Sequence, residues 1–60
     1  MIMRKYVNVE LNPVDAEKFR HYLKTNQIYY EASGVGLNTH FECKMTADEV
    51  DKANEFLATL

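Results

Sequence analysis

Sixty residues make one domain with a small core, because a chain this short buries only about 60% of the surface its unfolded form exposes. A hydrophobic content of 47% excludes a disordered chain, and seven basic residues against nine acidic ones exclude the basic stripe of a duplex-DNA binder. A single cysteine, Cys43, leaves no disulfide and no cysteine-rich zinc site, so stability must come from regular local structure, self-association or both.

The opening Met1-Ile2-Met3-Arg4-Lys5 lacks the apolar run of a signal peptide. No stretch approaches the roughly 18 apolar residues of a membrane span. A soluble, cytoplasmic protein occupying residues 1–60 as one domain is expected.

Met3 to Leu11 alternates, with Val7, Val9 and Leu11 on one side and Tyr6, Asn8 and Glu10 on the other. That period of two predicts a half-buried strand. Lys5 shares the apolar parity but lies at the strand's start, where its stem can reach solvent. Asn12-Pro13 then starts a helix, with Asn12 as N-cap, Pro13 at the first position and Asp15 in the first turn. Ala16, Phe19, Tyr22 and Leu23 form its apolar stripe, opposite Glu17, Lys18, His21 and Lys24. Thr25-Asn26 closes it, with Asn26 as the expected left-handed residue.

In the second strand, Ile28, Tyr30 and Ala32 share one face, and Tyr29, Glu31 and Ser33 the other. Gly34-Val35-Gly36 is the expected hairpin turn. The third strand sets Leu37, Thr39, Phe41, Cys43 and Met45 inward, against Asn38, His40, Glu42 and Lys44 outward. Thr46-Ala47-Asp48-Glu49 reads as a capping box, with Met45 and Val50 spaced for a hydrophobic staple. Val50, Ala53, Phe56, Leu57 and Leu60 form the last helix's buried stripe, so the pattern runs to the final residue.

One apolar face per element predicts an α+β two-layer sandwich of order β-α-β-β-α, both helices on one side of a three-stranded sheet. A right-handed crossover makes the first two strands parallel with a gap between them, and the hairpin returns the third into it. The result is an antiparallel sheet of order 1-3-2. This element order resembles a ferredoxin-like fold without its fourth strand. The resemblance carries no functional residues across. The fourth strand of that fold would cover the outer edge of the first strand. Here the edge, with Lys5, Val7 and Val9, is a candidate dimer surface, and a homodimer is expected.

The polar sheet face carries the candidate binding surface: Tyr6, Asn8, Tyr29, His40 and Glu42. Exposed rings on the first and third strands are where RNA-binding sheets stack bases. Against that, Glu10, Glu31 and Glu42 repel phosphate, and the basic, glycine-rich third-strand pattern is absent, so nucleic acid is not the expected partner. His40 beside Glu42 on an open face makes no catalytic pocket. His40 and Cys43 face opposite sides of one strand, and His21 lies on the outer helix face, so no metal is expected. The glycine loop joins two strands and is no phosphate cradle. No enzyme activity and no cofactor are expected.

The reading is a small non-enzymatic protein-interaction or regulatory module, of a size that fits a bacterial or phage accessory protein. The alternatives are a single-stranded nucleic-acid binder using the tyrosine face, and a small-ligand sensor with its site at a dimer interface.

Overall fold

The computed structural model describes residues 3–60. Five elements follow in chain order: β1 (Lys5–Leu11), α1 (Pro13–Thr25), β2 (Tyr30–Val35), β3 (Asn38–Met45) and α2 (Ala47–Ala58). The strands form one sheet of order β1-β3-β2, with both pairings antiparallel. One register runs from Lys5 opposite Met45 to Leu11 opposite Thr39, the other from Tyr30 opposite Cys43 to Val35 opposite Asn38. Neither contains a bulge. The β-α-β-β-α sandwich read from the sequence is the fold observed.

Both helix starts follow from side chains that satisfy orphan backbone donors. Asn12 Oδ1 accepts from the Asp15 N–H at 2.9 Å, with Pro13 occupying the first position of α1. At α2 the Glu49 N–H donates to Thr46 Oγ1 (3.3 Å) and the Thr46 N–H donates to Glu49 Oε1 (2.8 Å), closing the capping box.

The core lies between the helices and one sheet face. Phe41, Cys43 and Met45 of β3 are buried there, with Ala16, Phe19 and Leu23 of α1, Ala53 of α2, and Ile28. Val7, Val9 and Leu11 cover its β1 side half-buried. Phe19 meets Phe41 edge-on at 5.2 Å between centroids, and Tyr22 stacks on Phe56 at 4.5 Å, joining the two helices.

Three local expectations are corrected. The hairpin turn is Gly36-Leu37, not Gly34-Val35-Gly36, because Val35 still pairs with Asn38. Gly36 alone has positive φ there (61°), at the first central residue, which is where a II′ turn needs glycine. Leu37 therefore leaves the inward row and sits 91% exposed at the tip. Boundaries shift as well: Met3 and Arg4 fall outside β1, since β3 ends opposite Lys5, and Ile28 and Tyr29 precede β2. Helix α2 ends at Ala58, which leaves Leu60 outside the helix and exposed rather than in its buried stripe.

The third correction concerns the end of α1. Asn26 keeps φ at −92°, and Gln27 takes the left-handed conformation at φ 56°. The Ile28 N–H donates to Leu23 O and the Gln27 N–H to Lys24 O, with buried Ile28 and Leu23 supplying the apolar contact of a Schellman motif. Asn26 instead turns its side-chain amide to Tyr22 O at 2.8 Å. Gln27→Gly is expected to raise unfolding free energy by about 0.5–1 kcal/mol, as the relieved Cβ strain exceeds the added chain entropy. Urea midpoints of Gln27→Gly and Gln27→Ala check it, since alanine retains the strain.

Candidate functional site

The alternation of β1 and β3 brings Tyr6, Asn8, His40 and Glu42 onto one sheet face, and Tyr29, one residue before β2, joins them there through Glu31 and Lys44. Across the strands they fall into rows. Tyr6 lies opposite Lys44, whose N–H donates to Tyr29 O (3.0 Å). Asn8 lies opposite Glu42, which on its other side faces Glu31. Glu10 lies opposite His40, and His40 faces Ser33.

Hydrogen bonds tie the rows together. Asn38 donates to Glu10 at 2.9 Å, and His40 Nε2 pairs with Asn8 Oδ1 at 3.1 Å. The Tyr29 hydroxyl donates to Glu31 Oε1 at 2.7 Å. That bond, together with the Glu31 charge, holds the Tyr29 pKa above its ordinary 10.0. Lys44 places its ammonium 5.2 Å from the Tyr6 ring centre and 5.9 Å from that of Tyr29. It is the residue that sequence reasoning left out of the site. Its parity was legible, but its position between two rings depends on the β1-β3-β2 order.

This arrangement decides what the face can do. Tyr6 and Tyr29 are 61% and 57% exposed, enough to offer contact area. A cation already sits over both rings, and Glu31 faces Glu42 directly in the next row. A phosphate backbone would meet carboxylates there rather than a basic track. His21 lies elsewhere, in an open hollow of about 570 Å³ between the helices, with Phe56 and Leu60. Among the described residues no group of three or more His, Cys, Asp or Glu is placed to hold a metal ion. Nor is any helix among them long and apolar enough to cross a membrane.

Cys43 is fully buried on the opposite, inner face, and burial pushes its thiol up to about 11. The folded chain then keeps a proton that the unfolded chain releases near the ordinary value of 9.0. Cys43 thus costs no stability below that value, and from pH 9 to 11 folding weakens by up to about 2 kcal/mol. Denaturant midpoints across this range, compared with Cys43→Ala, should show the smaller fall in the variant.

The second candidate feature is the outer side of β1, and the ladder fixes which groups it offers. Backbone N–H and C=O groups along a strand point alternately to the two sides. The bond from Lys44 to Tyr29 shows that the even residues of β3 face β2. Its odd residues therefore bond β1, through their partners Lys5, Val7, Val9 and Leu11. Those four are committed to β3. The groups pointing outward are those of Tyr6, Asn8 and Glu10, and no strand among the described residues pairs with them.

Beside this edge lies a hollow of about 450 Å³ lined by Met3, Lys5, Met45, Ala47, Val50 and Asp51. Val50 and Leu57, seven residues apart, share one flank of α2 and are half-buried. Phe56 occupies the other flank, against Tyr22. The unpaired strand thus begins beside the first turn of α2, where Val50 is only half-buried.

No family model, curated protein or solved structure matches this chain. The site's chemistry alone bears on function.

Proposed function

We infer that this protein is a non-enzymatic interaction module of the cytoplasm that binds by receiving an extended strand at the outer edge of β1. The observation that carries this reading is the pairing of that edge with the α2 flank. Tyr6, Asn8 and Glu10 offer main-chain donors and acceptors, and the adjoining hollow with Met3, Met45 and Val50 suits alternate apolar side chains of an added strand. The outer side of β2 is unpaired too, through Tyr30, Ala32 and Gly34, but the hollow with Met3, Met45 and Val50 has no residue of β2 in its lining. Stacking of single-stranded nucleic acid on the tyrosine face finds less support, because Lys44 already lies over both rings and three glutamates share that face.

Capture from source cells with three baits tests the reading: the native chain, Asn8→Pro and Tyr29→Ala. A stoichiometric protein retained by Tyr29→Ala and lost with Asn8→Pro is expected, because only proline removes an outward N–H. A ligand retained by Asn8→Pro and lost with Tyr29→Ala would overturn the reading in favour of the sheet face. Nuclease-sensitive material in that second pattern would revive the nucleic-acid alternative.

A further inference from the structure

Resting on that reading, we propose that the strand received at this edge is β1 of a second copy, antiparallel about a two-fold axis at Val7. A two-fold axis normal to the sheet makes any β1–β1 pairing antiparallel and closes the assembly at two chains. The outward backbone groups belong to even-numbered residues, so even residues must face even residues across the seam.

Charge then selects among the allowed registers. Centring on Lys5 or on Glu10 sets like charges directly opposite each other, which destabilises a sheet pair. Centring on Tyr6, Asn8 or Val9 sets no opposite charges across from each other within residues 3–11. Centring on Val7 does so twice, with Arg4 of each copy opposite Glu10 of the other. The same register sets Tyr6 opposite Asn8 on the polar face, and Lys5 opposite Val9 and Met3 opposite Leu11 on the inner face.

Two residues unpaired within the chain gain partners in this register. Met3 and Arg4 extend beyond the end of β3, and Met3 is 74% exposed. Pairing Met3 with Leu11 of the second copy carries it along the inner face, beside the hollow it lines with Val50. The product is a continuous six-stranded sheet with the Met3 and Val50 hollow of each copy beside its seam. It doubles the core-bearing layer of a domain whose own core is small.

Sedimentation of the intact chain at micromolar concentration should give twice the 7.0 kDa of one chain. Val7→Cys reads the register. It is made in a Cys43→Ala background, because Cys43 lies directly across from position 7 on β3. On the axis the two Cα atoms stand about 4.5 Å apart, within disulfide reach, whereas a shift of two residues separates them by about 8 Å, beyond it. Near-complete oxidation to a covalent dimer is expected.

Arg4→Glu supplies a variant outside every regular element. It should shift the chain to monomer, and Arg4→Glu with Glu10→Arg should restore the dimer. A monomeric native chain overturns the second-copy inference and leaves the strand-receiving reading to the Asn8→Pro bait. A dimer whose Tyr6, Asn8 and Glu10 amides exchange freely with deuterium forms elsewhere and overturns both. A dimer protected at those amides but unmoved by the charge swap overturns the register at Val7.

Discussion

Phe41→Ala is expected to remove most of the domain's stability at 25 °C, whereas Phe41→Leu should leave a weakened but folded domain. Phe41 is fully buried at the middle of the central strand. It receives Phe19 edge-on at 5.2 Å and Tyr30 at 5.9 Å, and the Arg20 guanidinium lies 5.9 Å from its ring centre. Removing a buried phenyl ring costs about 3–5 kcal/mol, the lost transfer energy plus the cavity. Sixty residues at roughly 0.05–0.15 kcal/mol each supply a total of about 3–9 kcal/mol. At the midpoints of these ranges the loss takes about two-thirds of the stability, and at the low end of stability all of it. Leucine retains much of the volume and costs about 1–2 kcal/mol. Urea unfolding followed by far-ultraviolet circular dichroism separates the cases. A sigmoidal transition in Phe41→Ala with an undiminished midpoint would show that another cluster holds the fold.

The second large effect is an asymmetry between neighbours. Val9→Pro is expected to cost about 3 kcal/mol or more, and Asn8→Pro about 1 kcal/mol. The difference lies in where each N–H points. Val9 bonds β3 opposite Phe41, so proline there removes a ladder bond, orphans a buried carbonyl and drives its ring toward the central strand. The Asn8 N–H points outward, and edge strands tolerate proline on that side. Asn8→Pro also gives up the side-chain bond to His40 at 3.1 Å, and Asn8→Ala isolates that part. Equal destabilisation by both prolines would mean that the ladder parity is reversed, and that the outward groups belong to Lys5, Val7 and Val9. This result matters for function as well as stability, because Asn8→Pro separates strand reception from folding.

Misreadings of the sequence fall where one local signal had two solutions. Two glycines flank Val35, and either could open a hairpin. Pairing of Val35 with Asn38 across β3 assigns the turn to Gly36-Leu37. At the end of α1, asparagine tolerates the left-handed region better than glutamine, yet Gln27 occupies it. Burying Ile28 against Leu23 requires the chain to turn one residue later than side-chain preference suggests. Arg20 was invisible for another reason. Hydropathy reads it as surface, but it follows Ala16 by four residues, so its stem lies along the core with Nε buried and without a hydrogen-bond partner among the described residues.

Element order, face assignment and both helix N-caps were determined by the sequence itself, because each depends on residues within a few positions of one another. Period-two alternation sorted Val7 from Tyr6 and Phe41 from His40, and Asn12 and Thr46 announced their helices by side-chain chemistry. The candidate sites belong to tertiary structure. Lys44 stands between Tyr6 and Tyr29 only because β3 lies between β1 and β2, and the outward groups of Tyr6, Asn8 and Glu10 follow from a register set across 28 to 40 positions of chain. Local propensity carries no information at that separation; packing of one apolar face against two helices does.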